Sequence, residues 1–444
     1  MLPDLGPPGV LVSVATSAYI RSSHSEGPRM KTALHLTICI ATLACSAAAQ
    51  AQTLEPIAIT HANVIDGTSA NVQRNVTILV RGRTIERIGP GLAVPNGARE
   101  IDVAGRYVVP GLIDAHTHLA SLDNARRALE SGVTTIRSAS TPHYEDVAIR
   151  ELAKAGVIPG PDVVAAGVFV RPQLGETILA DPRLGAWASG VQSLDALRGV
   201  VRVNLDHGVD VIKTMSTERA GLPNTDPRKQ LYTEEQLRAV VDEAKTRNIP
   251  VMVHAHGDEG AYAAVAAGAR SIEHGTYLSD STLRLMKQKG TFFVPTLSTV
   301  VDLAEPGGDY DDPVLMIRGQ HMLPRIKDAI RRAHAMGVPI VTGGDTGYGP
   351  QSLTRISHEV MRFVELGFTP LEALQSATTV AADLLGIGNK TGRLAQGYEA
   401  DLIVVEGNPL ENIVALQDVL VVVSNGQVAL NRLPFGRRTT NDGR

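Results

Sequence analysis

The sequence has little cysteine and few aromatic residues. Cys39 and Cys45 are the only cysteines among 444 residues, too few for a disulfide framework or for a zinc site built on cysteine. Aromatic residues make up 4% of the chain and the formal net charge is −4, so no base-stacking groove or basic surface for nucleic acid is indicated. Any metal site must therefore be built from carboxylates and from the 13 histidines.

Residues 30–51 have the pattern of a secretory signal peptide. Lys31 supplies the positive charge, residues 34–44 form an apolar stretch too short to span a bilayer, and residues 49–51 (AQA) form a small-x-small cleavage site. Both cysteines lie inside this segment. We therefore expect cleavage near Ala51, a secreted or periplasmic location, and a mature protein without a membrane span.

Residues 1–29 precede Met30, the residue at which the signal pattern begins. This stretch is rich in Pro, Gly and Ser and has no hydrophobic periodicity. We expect it to be a disordered extension, or the product of a start codon upstream of the native one.

Hydrophobic periodicity divides the rest of the chain into three parts. Residues 52–109 contain short β-like segments separated by turn signals, and the same pattern returns in residues 389–444, which end in a C-terminal tail. Between them, in residues 110–388, apolar runs of five to eight residues alternate with segments of helical period. The two β regions predict one small β-sandwich domain built from both ends of the chain.

The middle part contains eight apolar runs, which predict eight parallel strands joined by crossover helices. The predicted fold class is therefore α/β, a (β/α)8 TIM barrel with the small β-sandwich beside it. The predicted strands are residues 112–118, 133–138, 163–170, 209–215, 250–256, 270–274, 291–296 and 339–344. The clearest helical segments are residues 146–154, 234–247, 283–289 and 326–336.

Candidate metal ligands lie at or just beyond the carboxyl ends of five of the predicted strands. Active sites of such barrels lie at the carboxyl ends of the strands, and the two-residue period of a strand places both histidines of a His-x-His pair on one face. This arrangement predicts a metal site better than it predicts a set of core histidines, and imidazole and carboxylate ligands suit Zn, Mn, Fe or Co. The candidates are His116, His118, Lys213, His254, His256, His274 and Asp345.

Lys213 is unusual among these residues because a lysine inside a barrel is costly as a cation. Desolvation lowers the pKa of its amine, and the neutral amine can react with carbon dioxide to form a carbamate. Such a carbamate is a bidentate ligand that can bridge two metal ions about 3.5–4 Å apart. The alternative interpretation is an ion pair between Lys213 and an acid such as Asp210.

Over roughly residues 57–430, the sequence resembles the amidohydrolase superfamily. The resemblance is to the imidazolonepropionase-like group, which includes secreted metal-dependent Xaa-Pro and Xaa-Arg dipeptidases. The motifs that carry it are residues 109–118 (VPGLIDAHTH), 211–213 (VIK), 253–257 (VHAHG), 272–276 (IEHGT), 342–345 (TGGD), 377–382 (ATTVAA), 392–394 (GRL) and 397–402 (GYEADL).

The resemblance implies two divalent metal ions, with zinc favoured, and a catalytic role for three of their ligands. His116, His118 and Asp345 are implied to hold the first ion. Lys213, as its carbamate, bridges to a second ion held by His254 and His274. A hydroxide between the ions attacks an amide carbonyl, and Asp345 takes the proton and returns it to the leaving amine. The implied catalytic residues are Asp345, Lys213 and His274.

Substrate contacts are implied for three further residues. His143 and Tyr232 follow the second and fourth strands, where the resemblance to the dipeptidases places a substrate carboxylate; a solvated loop histidine and a packing tyrosine are the alternatives. His256 either contacts substrate or packs at the barrel mouth. After Arg137, where relatives carry Asp, this chain has Ser138, so the resemblance does not define that side of the pocket.

The leading hypothesis is therefore a binuclear metal-dependent amidohydrolase. Its substrates would be dipeptides or N-acyl amino acids, including bulky aromatic amides such as ochratoxin A. The same metal core also serves lactones, cyclic amides and phosphotriesters, and the sequence leaves these open. A non-catalytic binding protein of the cell envelope is a remote alternative. The expected partners are a small-molecule or dipeptide substrate and further copies of this chain, since relatives form homo-oligomers.

Overall fold

The structure, a computed structural model, describes residues 54–433. The predicted extension (residues 1–29), the predicted signal peptide (residues 30–51) and the end of the C-terminal tail lie outside the described residues. Export and a homo-oligomeric state therefore stay predictions. Among residues 54–433, no helix combines the length and the apolar content needed to cross a membrane.

Within that range the chain forms fifteen strands and eleven α-helices. The strands are β1 (Ile57–Ile65), β2 (Val72–Arg81), β3 (Thr84–Gly89), β4 (Arg99–Asp102), β5 (Tyr107–Pro110), β6 (Leu112–Thr117), β7 (Val133–Ser138), β8 (Asp162–Val164), β9 (Ile212–Met215), β10 (Val251–Ala255), β11 (Ser271–His274), β12 (Phe292–Val294), β13 (Leu402–Val405), β14 (Val419–Ser424) and β15 (Gln427–Asn431). The helices are α1 (Leu122–Glu130), α2 (Glu145–Lys154), α3 (Leu194–Asp206), α4 (Glu234–Lys245), α5 (Asp258–Ala267), α6 (Asp280–Lys289), α7 (Leu297–Ala304), α8 (Pro313–Met336), α9 (Ile356–Glu365), α10 (Pro370–Ser376) and α11 (Thr379–Leu385).

The strands before and after the barrel belong to one sheet. Its order is β15-β14-β13-β5-β1-β2-β3, with β4 added to β1. β5 lies between the two ends of the chain: Val108 pairs with Val64 of β1 on one side and with Val404 of β13 on the other. Hydrogen bonds thus join all eight strands in one sheet, and the apolar side chains on one of its faces share one core cluster.

The central part of the chain forms the predicted (β/α)8 barrel. β6-β7-β8 and β9-β10-β11-β12 are two parallel sheets. A bridge between Val170 and Thr214 links the third position to the fourth. At the eighth position, Val341 donates to the Phe293 carbonyl and Thr342 accepts from the Ala115 amide. The eighth segment therefore lies hydrogen-bonded between β12 and β6.

The third and eighth predicted strands are the least regular. The predicted strand 163–170 is reduced to β8 and the isolated bridge at Val170. The predicted strand 339–344 forms only a bridge at Ile340 and the backbone bonds described above. Gly167, with φ 66°, interrupts the third segment, and Asp345, with φ 45°, follows the eighth; these left-handed conformations do not continue a regular ladder.

Helix boundaries follow the capping residues. α4 is capped by Thr233, whose side chain forms a capping box with Gln236. α8 is more than twice as long as the predicted helix 326–336, because it begins at the Asp312 cap and continues through Pro324. Proline ordinarily marks the end of a helical pattern, which is why the sequence predicted only the second half.

Candidate metal centre

The six predicted ligands and His256 line one cavity at the carboxyl end of the barrel strands. The cavity has a volume of about 290 Å³. Each side chain comes from a different part of the sequence but from a neighbouring position in the barrel, which is why a ring of parallel strands brings them together. The residues are His116, His118, Lys213, His254, His256, His274 and Asp345.

One group of ligands joins the first and eighth barrel positions. Asp345 Oδ1 lies 3.4 Å from His116 Nε2 and 3.3 Å from His118 Nε2. Potential ligand atoms of all three residues lie within 4.8 Å of one another. Asp345 has φ 45°, in the left-handed region that non-glycine residues seldom occupy. Such a conformation is held by its surroundings and is frequent at functional sites.

The second group consists of His254, His256 and His274, whose ligand atoms also lie within 4.8 Å of one another. The rings of His256 and His274 are stacked with centroids 4.7 Å apart. His256 Nδ1 lies 2.9 Å from the Thr276 hydroxyl, and His274 Nδ1 lies 2.7 Å from the Thr296 hydroxyl. Contacts to the second ring nitrogen fix the orientation of metal-binding histidines. His256, predicted as a substrate contact, thus lies beside the two predicted ligands.

Burial sets the protonation states of these ligands. It lowers the pKa of His116 to about 4 and of His256 to about 3, and it lowers the pKa of His254 and His274 well below the usual value. These imidazoles are therefore neutral at pH 7 and have lone pairs available for a metal.

Asp345 remains ionised in the same surroundings. Burial alone would raise its pKa, but the electrostatic interaction with His116 and the hydrogen bond from His118 hold the pKa of Asp345 below its usual range. Neutral imidazoles together with an ionised carboxylate fit a divalent transition metal such as zinc.

Lys213 is buried in this centre without an acidic partner. Its Nζ lies 3.4 Å from His116 Nε2, and among residues 54–433 no carboxylate lies within ion-pair distance of it. Asp210, the acid suggested as an alternative partner, is instead 2.5 Å from Arg150; the ion-pair interpretation is wrong. Burial lowers the pKa of Lys213 to about 8, so a reactive neutral amine is accessible near neutral pH.

Glu273 and Arg137 are functional residues that the sequence interpretation missed. Glu273 is fully buried, and its Oε2 lies 2.7 Å from His116 Nδ1. Arg137 donates from Nη2 to Glu273 at 3.0 Å and from Nη1 to Ser271 at 2.9 Å. Burial would raise the pKa of Glu273, but the charge of Arg137 and the hydrogen bond from His116 lower it to about 2. The Glu273 carboxylate therefore fixes the ring of His116.

The signal for this pair was present in the sequence. Arg137 and Glu273 are oppositely charged side chains inside two strands that are otherwise uncharged and buried. Charged groups at such positions must be paired, and Glu273 directly precedes a predicted ligand.

His143 and Tyr232 do not line the cavity. His143 is half exposed on a loop, with its Nδ1 3.5 Å from Glu145 Oε1. Tyr232 is fully buried in the core, where its hydroxyl donates to the Val191 carbonyl at 2.8 Å. The predicted substrate contacts are therefore corrected to the alternatives that the sequence left open, a solvated loop histidine and a packing tyrosine.

Comparison with known proteins assigns this architecture to a family. The model of the family described as "Amidohydrolase family" matches residues 107–429. An ochratoxinase from Aspergillus niger is 29% identical over 406 residues, covering 82% of this chain and 84% of the relative. An imidazolonepropionase from Mesorhizobium japonicum is 27% identical over 365 residues, covering 71% and 81%.

A solved structure supports the same assignment. The crystal structure of a Xaa-Pro dipeptidase with methionine bound in its active site superposes with a TM-score of 0.74 at 30% identity. The match covers 84% of this chain and 99% of the dipeptidase.

Proposed function

The chain belongs to the amidohydrolase family and is a hydrolase acting on carbon–nitrogen amide bonds, and we propose that it cleaves a dipeptide or an N-acyl amino acid at a binuclear metal centre. One observation carries the proposal. Two groups of three ligand side chains lie at one barrel mouth, in the protonation states that metal binding requires, and beside them is a buried lysine that no carboxylate of residues 54–433 pairs with.

The residues present suit two divalent ions. His116, His118 and Asp345 would hold one ion, and His254 and His274 the other. Lys213, which has no acidic partner within ion-pair distance in the described part of the chain, would bridge them as its carbamate. When bound, such ions supply Lewis-acid activation of water and of the amide carbonyl. Zinc suits this set of nitrogen and oxygen ligands.

The chain's own residues supply proton transfer and orientation. Asp345 is ionised and accessible from the cavity, so it can accept the proton of the attacking water and pass it to the leaving amine. Glu273 holds His116 in one orientation. His256 lies on the cavity wall with Nδ1 held by Thr276, which leaves Nε2 for the substrate.

The substrate class follows from the relatives and from the cavity wall. An ochratoxinase and a Xaa-Pro dipeptidase are among the similar proteins, and the wall includes Phe169, Val300, Leu303 and Tyr310, which suit an apolar or aromatic side chain. The similarity to an imidazolonepropionase favours a cyclic amide as the second candidate substrate.

The test is turnover by the purified protein, stripped of metal and reloaded with zinc. The panel contains Xaa-Pro and Xaa-Arg dipeptides, N-acyl aromatic amino acids, a cyclic amide and a lactone. We expect cleavage of the acyclic amides and, for Asp345→Asn, a loss of about 10²–10⁴-fold in kcat. Asp328→Asn, which alters an exposed carboxylate paired with Arg332, is the control. Full amidase activity in Asp345→Asn, or activity without metal, would refute the proposal.

We also propose that the protein is exported, because the pattern of residues 30–51 has a charged start, a short apolar stretch and a cleavage triplet. Sequencing the amino terminus of protein recovered from culture fluid or periplasm should show a chain that begins after Ala51. Recovery of a chain that still carries Lys31 would contradict this.

A further inference from the structure

Two arginines face the same cavity as the metal ligands. Arg171 and Arg219 both line its wall, and neither belongs to the family motifs in this sequence. The mechanism described above uses neither side chain, so their presence in a buried polar cavity calls for its own explanation.

Neither arginine has an acidic partner. Among residues 54–433, no carboxylate lies within ion-pair distance of either side chain. Arg219 makes no side-chain hydrogen bond in that range. Arg171 donates from Nη2 to the Leu174 carbonyl at 2.9 Å, and its Nε is buried without any hydrogen-bond partner. Buried donors are nearly always satisfied in folded proteins. The unpartnered Nε of Arg171 therefore indicates that a ligand supplies the acceptor.

The cavity itself cannot supply that acceptor. Asp345 is the one acidic side chain in its lining, and its oxygens contact His116 and His118. The two arginines therefore leave an excess of positive charge at the barrel mouth. This excess is larger when divalent ions are bound.

The two arginines lie on neighbouring loops. Arg171 directly follows Val170, whose amide donates to the Lys213 carbonyl. Arg219 follows Glu218, whose carbonyl lies 3.2 Å from His254 Nε2. The centroid of the Phe169 ring lies 6.0 Å from the Arg171 guanidinium and 5.5 Å from Lys213 Nζ, so Arg171 and the metal centre share one aromatic neighbour.

The electrostatics agree with this placement. Burial and the nearby charge of Arg219 lower the pKa of Arg171. Two guanidinium groups that repel each other at one cavity wall become favourable when an anion lies between them, and a planar carboxylate matches the fork of donors on each group.

We propose that Arg171 and Arg219 form the binding site for the free carboxylate of the substrate. This inference rests on the proposed amidase function and gives it a specificity: the amide to be cleaved must belong to a residue that carries an α-carboxylate. The enzyme would then remove a carboxy-terminal amino acid from its acyl partner. In this proposal the two arginines bind the substrate carboxylate, which the sequence interpretation assigned to His143 and Tyr232.

The experiment compares two amides that differ only in the carboxylate, N-acetyl-L-phenylalanine and N-acetylphenethylamine. The zinc-loaded protein is assayed beside Arg171→Gln, Arg219→Gln and Arg219→Lys. For the carboxylate substrate we expect each glutamine variant to lower kcat/KM by about 10–150-fold, mainly through KM, because a charged hydrogen bond is lost. Arg219→Lys should recover part of the loss. The control is Arg202→Gln, an exposed arginine paired with Glu243.

The slower substrate without a carboxylate separates recognition from damage. Its kcat/KM should stay within about twofold in all variants, because a guanidinium that binds only the carboxylate contributes nothing to it. An equal loss on both substrates, or no loss on either, would overturn the inference.

A binding measurement keeps the inference independent of turnover. Calorimetric titration of the zinc-loaded protein with L-phenylalanine, the expected amine product, should give a dissociation constant that rises by the same factor in both glutamine variants. Binding that requires the arginines in a protein that cleaves no amide would refute the proposed function and support the inference. Absent or arginine-independent binding would overturn the inference.

Discussion

The side chain that holds His116 in place is a buried acid, Glu273. It lies between an imidazole and the guanidinium of Arg137, so the guanidinium balances its negative charge and the imidazole forms a hydrogen bond with it. A buried ion pair adds little net stability when it is intact, but it is costly to break because one charge is left alone. The pair therefore couples the orientation of a metal ligand to the packing of the barrel.

The variant Glu273→Gln should remove that balance. Arg137 would remain charged and buried without its partner, and we expect a loss of about 3–5 kcal/mol in the free energy of unfolding. Metal affinity should fall by about 10–100-fold, because the ring of His116 is no longer fixed. Denaturant unfolding and competition with a metal chelator measure the two effects. Glu86→Gln, which alters an exposed pair with Arg81, should change neither, and unchanged metal affinity in Glu273→Gln would contradict the assignment.

Tyr232→Phe tests the corrected position of that side chain. Within the described part of the chain the hydroxyl bonds only the Val191 carbonyl. Its removal should therefore lower stability by about 1 kcal/mol and leave kcat/KM unchanged within about twofold. Thermal unfolding and assays on an N-acyl amino acid measure the two quantities. A large rise in KM would show that the tyrosine contacts substrate after all.

At the scale of single residues, the sequence predicted the metal ligands better than it predicted the residues that orient those ligands. His116, His118 and Asp345 were predictable because each lies at the carboxyl end of an apolar strand. Glu273 and Arg137 meet across the barrel from positions 136 residues apart. A charge inside an apolar strand indicates that a partner is needed, but no local pattern identifies that partner. The arginines of the cavity wall lie in loops, whose direction depends on the whole barrel mouth.

At the scale of the elements, the eighth barrel segment (residues 339–344) packs closely against β6 and β12 beside the metal ligands. Gly343 passes so near to β6 that an added Cβ would lie 2.9 Å from His116 Cβ and 2.7 Å from Val294 Cγ1. Only a residue without a side chain fits there. The backbone then turns into the left-handed conformation of Asp345, which explains why this predicted strand lacks a regular ladder.

Gly343→Ala should therefore disturb the first ligand group. The new methyl group must push β6 or β12 outward, and we expect weaker metal binding together with a loss of about 1–3 kcal/mol in stability, as is typical of overpacking. Metal content after dialysis and thermal unfolding measure both. The matched control is Gly349→Ala, since a Cβ at Gly349 meets nothing within 4 Å. Equal metal content in both variants would show that the close approach does not matter.

Periodicity predicted the barrel and most of its helices, because alternating apolar runs and capping residues are local signals. It failed where tertiary contacts override local signals. α8 continues through Pro324 because its apolar face, including Met322 and Ile326, packs into the core on both sides of the proline.

At the scale of the whole molecule, the barrel contacts the eight-stranded sheet at a buried acid, Asp401. Asp401 precedes β13 and accepts a hydrogen bond from the Asn425 amide, while the Asn425 side chain donates to Asp162 of β8. Burial and the charge of Asp162 raise the pKa of Asp401 to about 7. This junction therefore favours a protonated acid.

The junction predicts a pH dependence of stability. The pKa of Asp401 in the unfolded chain is about 3.9, lower than in the folded protein, so its contribution to stability is complete below about pH 4 and is lost as the pH rises through about 7. Asp401→Asn should raise the melting temperature at pH 8, by an amount equivalent to about 1–3 kcal/mol, and should have little effect at pH 4. Melting curves across this range measure the difference. Asp195→Asn, at a fully exposed side chain, should show no such trend, and a constant offset for Asp401→Asn would contradict the prediction.

The position of β5 between β1 and β13 also has a consequence for biosynthesis. β5 is complete when residue 110 has been made, but its antiparallel partner begins only at residue 402. At about 5–20 residues per second, the ribosome needs about 15–60 s to supply it. Throughout that interval one edge of β5 is an open template on which another nascent chain can pair. Correct folding therefore depends on how long this edge stays unoccupied. The yield of folded protein depends on the time at which β13 emerges from the ribosome as well as on the stability of the finished sheet.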